Sequence, residues 1–341
     1  MEAHAIKNVC IYGAGALGGS IAAKLAMGFG ERVQVSVVAR GAHLESIRAQ
    51  GLRVWEAGAS SPVTARITAT DDARELPPQD LVITGLKGHQ LAAAASGIAA
   101  LLHPGTRVMM ILNGIPWWYF HRDRQSSHAE TQFEELDPGG VLWRQLGPER
   151  VIGCVAYQGA EVINPGEIQL SNNGRYVLGE PSDEHTAEIA AISALLMEAG
   201  VNNTISPNIR NEIWNKLLGN AAFNPISALT RALMTDIMFD PGLSKMVAQV
   251  MTEVRSVGEA LGAKFALSIA ERLEQSKAIG PVRTSMLQDL LAGKSLEITP
   301  LVGMVVSLGR LAKVPTPTSE TILALVTQLD RETQRSGAVT P

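Results

Sequence analysis

The hydrophobic and polar positions fall into two regimes along the chain. Through the first third, short apolar runs of strand length alternate with longer stretches of helical period. Asn8–Tyr12 (NVCIY) is a buried strand, followed by glycine-rich punctuation and a helix over Ala16–Met27. Val33–Ala39 is a second strand with helix to Gln50. Val54, Val63–Thr68, Leu81–Leu86 and Arg107–Leu112 supply further strands. This alternation predicts an α/β fold with a mostly parallel, doubly wound sheet covered by helices on both faces. Residues 117–150 break the rhythm, mixing aromatics, charges and turn residues, and read as an insertion or long loop. Strands resume at Val151–Ala156, Glu167–Leu170 and Arg175–Leu178, with a helix over Glu184–Ala199. From about Pro207 helical patterns alone remain: Asn208–Asn224, Thr235–Leu261, Phe265–Ser276, Thr284–Leu291, Leu301–Ala312 and Thr318–Asp330. The pattern predicts an N-terminal Rossmann-type domain over 1–205 and an all-helical domain over 206–335. The boundary lies near residue 205.

Composition narrows the classes. The 341 residues suffice for two cores, and 46% hydrophobic with 18% charged residues argues against a disordered chain. A net charge of −4 offers no general attraction to nucleic acid or to an anionic membrane. The N-terminus, MEAHAIKNVCIYGAG, has no signal-peptide pattern, and no run approaches membrane-spanning length. The two cysteines, Cys10 and Cys154, fit a reducing compartment, and the histidines show no ligand spacing, so no metal is expected. A cytoplasmic protein is the expectation.

The first chemical signal is Gly13-Ala-Gly15-Ala16-Leu17-Gly18, a GxGxxG placed between the first strand and the first helix. Gly13 makes the tight turn, Gly15 lets the backbone approach a pyrophosphate, and Gly18 allows close helix packing. The turn through Ala16 and Leu17 offers its N–H groups to the negative charge. The second strand ends at Arg40 with no carboxylate beside it, where an Asp or Glu would select NAD. A guanidinium suits a 2′-phosphate, so NADP(H) is the expected cofactor. Lys87 and Asn113-Gly114 end later strands, where ligands sit in open α/β sheets, but a surface lysine and a plain turn explain them equally well.

In WNKLLGNAAFNPISALTR, Lys216 and Asn220 are four apart and share a helix face. Asn224 continues the spacing, but Pro225 disfavours helix before it, so Asn224 is expected at a kink or an end. A solvated polar face is the plain alternative for this stripe.

Taken with TSMLQDLLAGKSLEI at 284–298 and VPTP at 314–317, these motifs resemble the ketopantoate reductases (2-dehydropantoate 2-reductases) over almost the whole chain. The resemblance implies NADPH-dependent reduction of a 2-oxo acid to a 2-hydroxy acid. It makes Lys216 the proton donor and Asn220, Asn224 and Ser285 substrate-binding residues. Glu297 becomes an acidic residue that orders the site from the cofactor side, Asn113 a neighbour of the nicotinamide ribose, and Lys87 a lysine near it. Asp289 matches a family position whose role is either direct or helix-orienting. The family's Glu-x-Asp-x-x-Asn-Gly is here Glu297-Ile-Thr299-Pro-Leu-Val302-Gly303, so Thr299 and Val302 replace two polar groups and leave the particular 2-oxo acid open. The aromatic run Trp117–Phe120 is read as core or subunit contact, with a wall of the ligand site as the alternative. Two other functions compete: a neighbouring 3-hydroxyacid or opine-type dehydrogenase, and an NADPH-sensing regulator without chemistry, which retention of Lys216 argues against. Long apolar helices allow a homodimer.

Overall fold

A computed structural model describes residues 5–124 and 126–338. Residues 1–4, which open the segment read for a targeting signal, lie outside the described residues. The strands are β1 Asn8–Tyr12, β2 Gln34–Val38, β3 Leu52–Trp55, β4 Val63–Ala65, β5 Thr68–Thr70, β6 Leu81–Thr84, β7 Arg107–Ile111, β8 Val151–Ala156, β9 Ala160–Asn164, β10 Glu167–Leu170, β11 Tyr176–Gly179 and β12 Asn203–Ile205. The helices are α1 Ala16–Phe29, α2 Gly41–Gln50, α3 Gly88–Ala99, α4 Val141–Gln145, α5 Ala187–Glu198, α6 Ile209–Thr230, α7 Met234–Phe239, α8 Pro241–Ala260, α9 Ile269–Lys277, α10 Ser285–Leu291, α11 Met304–Ala312 and α12 Pro317–Ala338. They form two compact units. The first holds the chain to Leu112, Trp117–Arg124 and His128–Ile209; the second holds Asn113–Pro116, residues 126–127 and the chain from Arg210.

In the first unit an eight-stranded sheet has the order β12-β11-β8-β7-β6-β1-β2-β5. β1 pairs in parallel with β2 on one side and β6 on the other, so the strand order reverses at its carboxyl end. That reversal opens the crevice in which such sheets hold ligands. Only β11 runs against its neighbour β8. Alternation sorts β1 by face: Val9 and Ile11 join the core beneath α1, while Cys10 and Tyr12 face the other way. Burial pushes the Cys10 thiol up to about 12, as expected for an inert packed sulfur.

Several expectations need correction. A second sheet, β4-β3-β10-β9, was not foreseen. The run Val63–Thr68, read as one strand, splits into β4 in this sheet and β5 in the large one. β9 and β12 had no clear apolar alternation to announce them. Ile168 of β10 packs against Gly19 of α1, where a Cβ would strike the Ile168 Cδ1. The 117–150 segment is not a free loop: Trp117, Trp118, Tyr119 and Phe120 are each at most 2% exposed. Trp118 lies against Gly153 of β8, and Trp117 donates to the Met110 sulfur at 3.2 Å. These aromatics pack as core, because four large apolar rings in sequence bury more surface than a solvated loop could leave exposed.

The helical unit brings two further corrections. α6 runs through Pro225, so Asn224 is inside the helix and buried. An interior proline costs about 3 kcal/mol, and burial of Ala221, Ala222, Phe223, Ile226 and Ala228 along the same helix offsets it. The stretch Thr235–Leu261 is two helices. Asp240 ends α7 and caps α8, its Oδ1 accepting from Leu243 N at 2.8 Å with Pro241 in the first turn. The Asp-Pro-Gly signal was present, but the hydrophobic period on both sides masked it. Replacing Asp240 with alanine is expected to lower the unfolding free energy by about 1 kcal/mol in urea denaturation; an unchanged midpoint would mean that the cap is not needed.

Candidate active site

In the first unit, the loop after β1 has the form a dinucleotide needs. Gly13 has φ +95°, and a Cβ there would meet Leu86 and Gly85. A Cβ at Gly18 would strike the Gly13 carbonyl, so that glycine sets the close approach of α1 to the strand. At Gly15 the nearest atom to such a Cβ is the Gly85 oxygen at 3.7 Å, leaving the backbone open to approach. α1 starts with no side-chain cap and no acidic residue in its first turn, so the N–H groups of Ala16, Leu17 and Gly18 meet no competing carboxylate. The loop fits a pyrophosphate.

Beside it lies a cleft of about 400 Å³ whose walls include Tyr12, Arg40, His43, His89 and Gln90. Arg40 is exposed at the head of α2 and forms no ion pair among the described residues. Its guanidinium stands against the Tyr12 hydroxyl. Burial raises the Tyr12 pKa, and Arg40 draws it partly back. The phenol therefore stays neutral beneath a cation left available for an anionic ligand. Lys87 sits at the head of α3, its backbone N–H donating to Gln90 Oε1.

His43 was missed by sequence reasoning. Gly166 N–H donates to its Nδ1 at 3.0 Å, which leaves Nε2 as the protonated nitrogen, donating to the Ala14 carbonyl at 2.7 Å. One neutral imidazole thus ties the glycine loop to the turn between β9 and β10. Its partner lies 123 residues away, so no local pattern could have revealed it.

In the second unit the predicted polar residues form two groups. Lys216 Nζ donates to Asn113 Oδ1 at 2.7 Å, and Asn113 Nδ2 donates to Glu297 Oε2 at 3.3 Å. Lysine only donates and a carboxylate only accepts, so the orientation of the amide between them is fixed. Asn224 Nδ2 donates to Ser285 Oγ at 3.4 Å at the start of α10. Asn220 lies on α6 one turn from both Lys216 and Asn224, without a side-chain hydrogen bond among the described residues. Asp289 is half-buried on α10, with its carbonyl accepting from Lys294 N–H.

The backbone explains how Asn113 is held. Gly114 has φ +75°, a Cβ there would clash with the Pro300 carbonyl, and Ile115 N–H donates to that same oxygen at 2.8 Å. Pro300 belongs to a π-helical turn, Thr299–Gly303, closed by Gly303 N–H to the Ile298 carbonyl and leading into α11. Of the two departures in this motif, Val302 is fully buried as core, whereas Thr299 is exposed.

A Rossmann fold with a fitted phosphate loop, joined to a helical unit carrying a lysine held by an amide, defines a nicotinamide-dependent oxidoreductase. The ketopantoate reductase PanE/ApbA family model matches residues 9–183, and the model of its C-terminal domain matches residues 208–330. A 2-dehydropantoate 2-reductase from Mesorhizobium japonicum is 44% identical over 322 residues, 94% of this chain and 97% of that protein. A solved structure from Ralstonia solanacearum MolK2 is 36% identical, with a TM-score of 0.90 over 96% of this chain and 99% of that one. A PanE/ApbA family ketopantoate reductase from Ralstonia eutropha JMP134 is 27% identical, with a TM-score of 0.81 over 96% and 99%. The chain belongs to the ketopantoate reductase family.

The His43 bridge can be tested by fluorescence titration. H43A loses two hydrogen bonds to loop backbone, each worth about 1 kcal/mol, so NADPH should bind roughly 10- to 30-fold more weakly. Turnover at saturating cofactor should stay near wild type; unchanged affinity would show that the loop holds its shape without the imidazole.

Proposed function

We propose that this protein reduces 2-dehydropantoate to pantoate with NADPH, using Lys216 as the proton donor. The family reduces 2-dehydropantoate with NADPH. The observation that carries the reading for these residues is the Lys216–Asn113–Glu297 chain. The reduced nicotinamide, when bound, supplies a hydride to the carbonyl carbon. Negative charge then develops on the carbonyl oxygen, and the Lys216 ammonium stabilises it and gives it a proton. The products are the 2-hydroxy acid and oxidised cofactor, and the lysine regains its proton from water. Asn113 holds the ammonium by its carbonyl oxygen, which gives Lys216 one orientation. Glu297 fixes Asn113 in turn, its Oε2 accepting from the amide nitrogen.

Asn220, Asn224 and Ser285 offer neutral donors and acceptors for the hydroxyl end of the substrate. Gly13, Gly15, Ala16, Leu17 and Gly18 take the pyrophosphate, and Arg40 the 2′-phosphate; Lys87 belongs with the cofactor-binding group. No helix among the described residues is long and apolar enough to cross a membrane. A cytoplasmic homodimer completes the reading, supported by Phe239 and Leu291, which stand 70% and 52% exposed on the helical unit.

Purified protein mixed with NADPH and a panel of 2-oxo acids should oxidise the cofactor fastest with 2-dehydropantoate. Faster turnover of another member would move the substrate and keep the chemistry. K216A should lower kcat by about 10²- to 10⁴-fold with NADPH affinity nearly unchanged; equal loss of cofactor binding would make the lysine structural. Arg40→Asp should shift preference from NADPH towards NADH by removing charge and fork from the 2′-phosphate position. A variant with wild-type preference would refute that role.

A further inference from the structure

Arg272, on α9, carries its charge without a counter-charge. Its Nε is buried with no hydrogen-bond partner, and the side chain enters no ion pair or hydrogen bond among the described residues. The residue as a whole is only partly buried, so the fork of its guanidinium stays open to an incoming anion. The guanidinium lies over Gly219 of α6, and a Cβ at that position would stand 3.0 Å from Nη2. Gly219 therefore clears the space Arg272 occupies, in the middle of a helix where glycine costs about 1 kcal/mol relative to alanine. Gly219 is three residues beyond Lys216 and adjoins Asn220, so the unpartnered guanidinium stands over the same stretch of α6 as the proton donor.

We infer that Arg272 is the carboxylate-binding residue of this enzyme, the group that makes it select 2-oxo acids. The assignment rests on the proposed reduction. In a 2-oxo acid the carboxylate and the ketone are on adjoining carbons, so a site that seats the ketone oxygen on Lys216 needs its second cation close by. Three residues along an α-helix advance about 4.5 Å, which places Gly219 and the cation above it one short step from Lys216. The planar fork of a guanidinium pairs with both oxygens of a carboxylate and so fixes the plane of the substrate as well as its charge. Asn220, Asn224 and Ser285, all neutral, are then left for the uncharged end of the molecule.

The test compares 2-dehydropantoate with its neutral amide in steady-state kinetics of the full-length protein. R272Q should raise the KM for the acid roughly 100-fold, the size expected when one partner of a buried charge pair is removed. It should leave the KM for NADPH unchanged and alter turnover of the amide little, so the preference for acid over amide collapses. R272K should recover part of the affinity for the acid. The thermal midpoint of R272Q should stay near that of wild type, because the guanidinium makes no hydrogen bond or ion pair among the described residues. An arginine needed only for folding would instead lower the midpoint and affect acid and amide alike, which would overturn the assignment. Unchanged KM for the acid in R272Q, with an active wild type, would refute Arg272 alone. A wild type inactive towards every 2-oxo acid would overturn both this inference and the functional reading beneath it.

Discussion

The amide of Asn113 is the point on which the polar cluster of the helical unit depends. It stands between a cation that can only donate and a carboxylate that can only accept, and each end of the amide is used by one of them. The arrangement needs Asn113 to be stationary, and the backbone beneath it ensures that. Gly114 takes a left-handed conformation against the Pro300 carbonyl, and Ile115 bonds the same oxygen. The π-helical turn that presents this carbonyl follows Glu297 directly, so one short segment supplies both the carboxylate and the seat for the turn.

The first unit solves a similar problem at the phosphate loop. Three glycines allow the loop its shape, but permissive residues do not enforce a shape. His43 does, by bonding the Ala14 carbonyl from one ring nitrogen and accepting from Gly166 on the other. The turn it reaches belongs to the small sheet that also presses Ile168 onto Gly19 of α1. The second sheet is thereby more than an ornament on the Rossmann plan, since it braces both the glycine loop and the helix that follows it.

What was legible in the sequence follows from the range of the interactions concerned. The glycine loop, Arg40 at a strand end, and Lys216 and Asn220 one turn apart all declare themselves within a few residues. Pro225 misled because a local rule was overridden by the continuous apolar face that α6 buries on both sides of it. The break at Asp240-Pro241 had a local signal that a strong hydrophobic period concealed. The small sheet, His43 and Arg272 could not have been read at all. β10 pairs with β3 across more than a hundred residues, and the meaning of His43 and Arg272 lies entirely in what the fold places beside them.

The altered last motif shows the same distinction. In sequence, Thr299 and Val302 look like two lost functional groups of equal weight. In the structure, Val302 is core with no exposed surface and Thr299 is exposed at the edge of the π-helical turn. A buried valine adds to the packing that holds the turn under Gly114, and a polar side chain there would need a buried partner of its own. The substitution thus trades a hydrogen-bonding position for apolar support at the place where Asn113 is seated. Lys216, Asn113 and Glu297 remain connected, so the departure bears on how firmly the turn is held and leaves that chain of hydrogen bonds in place.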